Sequence, residues 1–252
     1  MRLRQRAAGG PLLRAPRRGG GIDAGAYGKA FVLLARNPSL ILAPLLMGFA
    51  AVLIGLVVPG GPLGALTAGL GQFIAQLLAE FGLSVALIQA DAAWRRGRAP
   101  FDEAWEESRR KVPEILMAAI GLNFVLFLAL YVGGLAGLPG TIVVGLAALF
   151  FFIYALPAAA IGGIPGGAAL QVALERARAG PLPTGVVVVV SVLAYVIVPT
   201  FVTSALLPLV FSLGIYSTAL AQMIGALAQS LVAAYVALVL SKAYNDISYR
   251  GW

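Results

Sequence analysis

Apolar residues along this chain gather into six long runs, about 39–58, 64–90, 113–137, 141–161, 184–208 and 214–240. A bilayer core about 30 Å thick needs roughly 20 apolar residues in a helix, and each run meets that length. Turn chemistry marks the breaks. Val58-Pro59-Gly60-Gly61-Pro62 separates the first two runs, and Leu138-Pro139-Gly140 the third and fourth. Proline and glycine at such points end a helix and permit a tight reversal. The break between the fifth and sixth runs is weaker, bracketed by Pro208 and Gly214 within a segment that stays hydrophobic.

Between the runs, three short stretches have helical apolar periodicity of their own. In the first, Asp23 is placed to cap, and Tyr27, Phe31 and Leu34 share a face opposite Lys29 and Arg36. In the second, Phe101, Trp105, Ser108 and Val112 form a stripe. Its start is acidic (Asp102, Glu103, Glu106, Glu107) and its end basic (Arg109, Arg110, Lys111), an order that suits the helix dipole. Glu106–Arg110 and Glu107–Lys111 are spaced as i,i+4 pairs. In the third, Leu170, Ala173, Leu174 and Ala177 oppose Gln171, Glu175 and Arg178. Each stretch precedes a proline that opens the next run: Pro38, Pro113 and Pro183. Proline is tolerated there because the first-turn N–H has no helical partner. The chain thus reads as all-α: six transmembrane helices in three hairpins, each hairpin preceded by a short interfacial amphipathic helix.

Composition supports a membrane protein. Of 252 residues, 60% are hydrophobic and 11% charged, and mean hydropathy is +0.93. A soluble domain has about 25% charged residues, so this chain cannot cover itself with a water-facing surface. The net charge of +8 is distributed one-sidedly. All 18 Lys and Arg fall in the leader, the 91–112 loop, the 162–183 loop or the tail, and none in the other three connections. The positive-inside rule then places both termini in the cytoplasm, with the membrane crossed six times. The same distribution argues against nucleic acid as a partner, since no basic face with interleaved aromatics is formed.

Residues 1–22 form a basic Gly/Pro/Arg-rich tail, expected to be disordered unless a partner holds it; residues 23–252 form the single membrane domain. No apolar segment follows the arginines directly, so the tail does not read as a cleavable signal. Anionic lipid headgroups or a partner are the expected contacts of Arg2, Arg4, Arg6, Arg14, Arg17 and Arg18, and of Trp94, Arg95, Arg96, Arg98 and Trp105 in the second loop.

With no His and no Cys, chemistry that requires them is excluded. No catalytic residue, metal site or cofactor is expected. The polar residues inside the runs carry the remaining interest. Gln72, Gln76, Glu80 and Ser84 lie one helical turn apart along one face. Glu80 stands eleven residues before Asp91, roughly 16 Å at 1.5 Å per residue, so near mid-membrane. Asn123 in the third run, and Gln222 and Gln229 in the sixth, complete an intramembrane polar cluster. Ala221 and Gly225 form a small-xxx-small pattern for close helix packing. Glu80 has two readings, a proton- or cation-coupling residue or a carboxyl hydrogen-bonded to Gln76 or a neighbouring helix. Pro157 and Pro199 are expected to interrupt helical hydrogen bonds in the fourth and fifth runs.

Several motifs, in order, resemble a known family. They are Ala35-Arg36-Asn37-Pro38-Ser39-Leu40 and Trp94-Arg95-Arg96-Gly97-Arg98-Ala99-Pro100-Phe101. Ala155-Leu156-Pro157 with Gly166-Gly167-Ala168-Ala169-Leu170 follows, then Tyr244-Asn245-Asp246-Ile247-Ser248-Tyr249-Arg250. Together they cover about 25–250 and resemble the membrane domain found beside some glycerophosphodiester phosphodiesterases and its stand-alone relatives. The phosphodiesterase domain has no counterpart here, so the resemblance implies the six-span fold and no such activity. The chain departs from that pattern where Gly180-Pro181-Leu182-Pro183 shortens the second basic loop.

These readings converge on a non-enzymatic integral membrane protein. Its expected role is an accessory or scaffold subunit that organises lipid, a membrane protein partner or further copies of itself. The alternative is a small transporter or permease with a polar path around Glu80.

Overall fold

The computed structural model describes residues 24–57, 64–212 and 218–248. The remaining residues, including the arginine-rich tail, the Pro59–Pro62 turn and the start of the sixth run, lie outside them. Every described element is a helix. They are α1 (Ala24–Arg36), α2 (Leu42–Val57), α3 (Gly64–Arg96), α4 (Phe101–Arg110), α5 (Val112–Gly134), α6 (Gly137–Phe152), α7 (Ala155–Ala160), α8 (Gly166–Ala179), α9 (Pro181–Ser212) and α10 (Thr218–Ser248). A 3-10 turn, Pro38–Ile41, leads into α2. Six helical segments are long and apolar enough to cross a membrane: Pro38–Gly55, Thr67–Arg96, Val112–Gly134, Gly137–Ala160, Pro181–Pro208 and Leu220–Ile247. The chain is a multi-pass membrane protein by that measure.

Two boundaries differ from the sequence reading. The third-to-fourth turn is at Leu135 and Ala136, and Leu138-Pro139-Gly140 lies inside the first turn of α6. Gly137 carries the reversal at φ +74°, a conformation open to glycine, and Pro139 needs no N–H partner so early in a helix. The fifth helix begins at Pro181 and runs through Pro199 and Pro208 to Ser212 without a break. Thr203 donates back to the Pro199 carbonyl at 2.6 Å, and Thr200 to that of Val196 at 2.6 Å. In the fourth span the helix does break, at Ile153–Tyr154. Pro157 is four residues beyond Ile153, where its missing N–H would have bonded.

Burial is concentrated at the end of the bundle that bears the Lys and Arg residues. On α3 the closed run is Ser84–Ala90, on α7 it is Ala155–Ala160, and on α10 it is Val232–Ser241. Toward the far end the helices turn apolar side chains outward. Leu70, Phe73 and Ile74 on α3 are exposed, as are Phe124, Phe127 and Tyr131 on α5 and Val196, Ile197 and Phe201 on α9. Such a surface suits lipid, whereas a soluble monomer exposes only small apolar patches. The helices α3 and α10 pack on each other at the centre, with α2 beside both and α9 against α10.

Polar side chains lock the basic end. Asn37 is the anchor of the first lock: its Oδ1 accepts from the Ala99 N–H at 3.0 Å, and its Nδ2 donates to the Leu33 carbonyl at 3.0 Å. Ser39 Oγ donates to the Ala99 carbonyl at 2.8 Å, and Gln89 Nε2 reaches the same carbonyl at 3.3 Å. The Arg36-Asn37-Pro38 segment is thereby tied to the 97–100 loop, 60 residues away. Trp94 Nε1 donates to the Leu238 carbonyl at 2.9 Å, tying α3 to α10. Asn245 Nδ2 donates to Asp91 Oδ1 at 2.8 Å across the same pair. Lys111 Nζ donates to the Ala160 carbonyl at 2.8 Å, and Arg176 to that of Tyr244.

The three short helices pack inward on these locks. On α1, Ala30 is fully buried, while Phe31 is largely exposed and stacks on Tyr235 with centroids 4.3 Å apart. On α4, Ala104 and Ser108 are buried. Phe101 and Trp105 stack on each other, and Trp105 meets Phe81 edge-on. On α8 the buried face is Gly166, Ala169, Ala173 and Ala177; the expected Leu170 and Leu174 are half-buried beside it. Small residues win there because α8 lies close against α5: a Cβ at Gly166 would collide with Met117.

The Asn37 lock sets a stability prediction. Asn37→Leu strands the buried Ala99 N–H and is expected to cost about 1–3 kcal/mol. Gly69→Ala, where a Cβ would meet nothing within 4 Å, is expected to leave stability unchanged or slightly raised. Denaturant titration of the detergent-solubilised protein, followed by Trp fluorescence, measures both; equal stability of the two variants would refute the lock.

Candidate functional site

The boundary between the closed and open halves of the bundle is occupied by Glu80. Its side chain is buried, with 6% accessibility. Gln76 lies one turn earlier on α3 and donates from Nε2 to Glu80 Oε1 at 3.0 Å. Asn123 on α5 donates from Nδ2 to both carboxyl oxygens, each at 2.9 Å. The same amide nitrogen is 3.0 Å from the Ala119 carbonyl, which fixes it one turn along its own helix. Ser84 does not touch the carboxyl; its Oγ donates to the Glu80 backbone carbonyl at 2.9 Å. The α3 stripe thus splits into two jobs. Gln76 holds the acid, and Ser84 satisfies the helix.

All donors to the carboxyl are neutral amides. No ion pair involves Glu80 among the described residues. In a membrane interior an acid without a cation is costly, and such residues commonly mark a functional path. A flip of the Gln76 amide lets its oxygen accept from a protonated carboxyl, whereas Asn123 is held with its nitrogen inward by the Ala119 carbonyl.

A groove of about 490 Å³ opens beside this site between α3 and α5. Its walls are Gly69, Phe73, Ile120, Phe124 and Phe127, and its polar members are Gln72, Gln76 and Asn123. Two of the three polar members therefore touch Glu80. Across the bundle, Tyr195 on α9 is near enough for its phenol to interact electrostatically with Glu80. Tyr195 is 41% accessible. One turn down α9, the buried Ser191 hydroxyl has no hydrogen-bond partner.

The remaining expected site residues are placed elsewhere. Gln222 and Gln229 are exposed on α10 and do not bond to Glu80. A Cβ at Gly225 would meet nothing within 4 Å, so the Ala221/Gly225 pattern makes no close crossing among the described residues. The tight α2–α10 approach is one position over: Gly48 faces Ala226 and Ser230. Trp94 and Trp105 turn inward and hold α10 and α3. Arg95 pairs with Asp91 at 3.0 Å and Arg96 with Glu103 at 3.2 Å; Arg98 is exposed. Arg2, Arg4, Arg6, Arg14, Arg17 and Arg18 lie outside the described residues.

Two interactions went unread in the sequence. Asn37, in a motif noted only for its resemblance, is a buried structural amide. Arg176 counted only among the positive charges of the 162–183 loop, yet its guanidinium lies 3.4 Å from the Tyr244 ring centroid. Burial lowers the Arg176 pKa from its usual value, while Tyr244 and Tyr154 oppose the shift. A guanidinium still stays charged under such a shift. Tyr154 is fully buried, its hydroxyl 3.3 Å from that of Thr184. Comparison with protein-family models, curated proteins and solved structures finds no match to this chain.

The amide cradle makes a quantitative prediction. Asn123→Leu leaves Glu80 with Gln76 alone and is expected to lower stability by about 1–3 kcal/mol. Once Glu80→Leu removes the acid, the same Asn123 change is expected to cost far less, giving a coupling of about 0.5–3 kcal/mol. A double-mutant cycle by denaturant titration in detergent reads it, and additive effects would show that the contact contributes nothing.

Proposed function

We propose that this chain is a non-enzymatic scaffold or accessory subunit of a bacterial cytoplasmic membrane. Three hairpins, each led by an interfacial amphipathic helix, form its architecture, and both termini are cytoplasmic. The reading is supported above all by α4. Its apolar face is fastened to the membrane helices through Phe101, Ala104, Trp105 and Ser108. Its opposite face carries Asp102, Glu103, Glu106, Glu107, Arg109 and Arg110, all exposed. The ion pairs on that face are solvated, such as Glu106–Arg110 at 3.5 Å, and stabilise the fold little. A rigidly held surface whose charges add little to folding is suited to a partner or to lipid headgroups. The arginine-rich tail would add anionic-lipid contacts on the same side.

A second reading, a small transporter, draws support from the groove that approaches Glu80. In that reading Glu80 couples movement of a solute to its own charge. Uptake into proteoliposomes that is lost in Glu80→Gln would support it.

Topology and partnership are both measurable. The chain has no cysteine, so single substitutions report cleanly. A membrane-impermeant maleimide added to intact spheroplasts is expected to label Leu135→Cys, and Glu103→Cys only after permeabilisation. The reverse pattern would invert the orientation. Purification in mild detergent followed by mass spectrometry is expected to recover a stoichiometric membrane partner or a defined homo-oligomer. That assembly is expected to be lost on reversing the α4 charges at Glu103, Glu106 and Glu107. A lone monomer would count against the scaffold reading.

A further inference from the structure

The groove between α3 and α5 offers chemistry that a scaffold does not use. We propose that it binds a lipophilic organic monocation, with the cationic centre at Glu80 and the apolar body against Phe73, Phe124 and Phe127. The inference goes beyond the scaffold reading. It shares the location of the site with the transport reading but does not require translocation.

Charge complementarity selects the ligand. Glu80 is held by neutral donors, and among the described residues no Lys or Arg pairs with it. A cation supplies the opposite charge that the fold omits, whereas an anion would meet the carboxylate unscreened. The walls select the rest of the molecule. Phe124 is 61% exposed and Phe127 66%, and both line the groove, so aromatic faces stand ready for a cation and for apolar groups. A volume of about 490 Å³ lies in the usual range of roughly 300–1,000 Å³ for small-molecule sites. A bare metal ion is a poorer match. The described residues hold no cluster of three or more His, Cys, Asp or Glu, and three walls are aromatic.

The path to the acid is short. Gln76 is exposed, lines the groove and covers Glu80 Oε1. If Gln76 swings aside, its place on the carboxyl falls to the incoming cation. Asn123 keeps its two bonds and holds the carboxyl in position. Gly69 borders the same groove, and a side chain added there would enter open space. The groove can therefore be filled without touching the amide cradle.

Equilibrium dialysis of the purified full chain in detergent tests the proposal. Radiolabelled tetraphenylphosphonium is the probe, and tetraphenylborate is its counterpart of like shape and opposite charge. Saturable binding of one tetraphenylphosphonium per chain is expected, with no saturable binding of tetraphenylborate. Glu80→Gln and Gly69→Phe are each expected to weaken binding at least about tenfold, a loss of about 1.4 kcal/mol. Should Glu80→Gln fail to fold, Gly69→Phe decides alone, because it leaves the carboxyl and both amides in place. Unchanged binding in a folded Glu80→Gln or in Gly69→Phe, equal binding of the anion, or no saturable binding of the cation would overturn the proposal. Proteoliposome uptake is a separate readout. A chain that binds the cation without moving it keeps this proposal and loses the transport reading.

Discussion

Everything in this fold depends on the rule that a polar group in lipid must find its partner within the protein. Hydrocarbon offers no hydrogen bonds, so backbone and side-chain groups alike must be satisfied internally. Helices solve the backbone half of the problem. Their ends, the loops and the few polar side chains need separate solutions. This chain places nearly all of those solutions at one end. Asn37, Ser39 and Gln89 share the Ala99 backbone. Trp94 takes the Leu238 carbonyl and Lys111 that of Ala160. All but the Gln89 bond join segments far apart in sequence, so the basic end is fixed by its polar contacts as well as by packing. The short helices α1, α4 and α8 cover that end and bury mostly small residues or flat rings against it.

Toward the far end the described helices expose mostly apolar side chains. There, helices meet lipid with Leu, Val and Phe, and little beyond packing draws them together, since lipid is as apolar as they are. The turn at Leu135–Ala136 holds only where backbone meets backbone: a side chain at Gly133 would strike the Gly140 carbonyl. Between the closed and open halves lies one level at which polar groups recur: Glu80 and Gln76 on α3, Asn123 on α5 and Tyr195 on α9. The groove opens at that level because packing stops there.

The legibility of the structure in the sequence follows the range of each interaction. Hydropathy and the one-sided charges are local sums, so the six spans were readable, with their ends within about seven residues. Pro139 misled because proline ends a helix and also opens one, and only the φ of Gly137 decides between the two. The Gln76–Glu80 contact was readable as an i,i+4 spacing on one helix. Asn123 could be named as polar but not placed, because its register against α3 is set by how α5 crosses, 43 residues away in sequence. Gln222 and Gln229 show the converse: a regular stripe on α10 that packing leaves outside the cradle. Asn37 was invisible for the same reason as Asn123, since its partner is the backbone of a distant loop.

The choice of amides to hold Glu80 bears on what this level of the bundle can do. An arginine at Asn123 would fix the carboxyl as an anion and cancel its charge for good. An apolar residue would leave it a stranded acid. Asn123 and Gln76 do neither. Their nitrogens donate to a carboxylate, and after a flip the Gln76 oxygen accepts from a carboxylic acid while Asn123 keeps donating to the other oxygen. The cradle therefore tolerates gain or loss of a proton, or of an external cation in its place, without repacking α3 against α5. A purely structural polar contact has no need of that indifference, because one fixed protonation state would serve it equally well. The arrangement leaves the charge at Glu80 free to change, which a cationic side-chain partner would forbid. That is the strongest reason to treat the open half of the bundle as a site and not merely as lipid-facing surface.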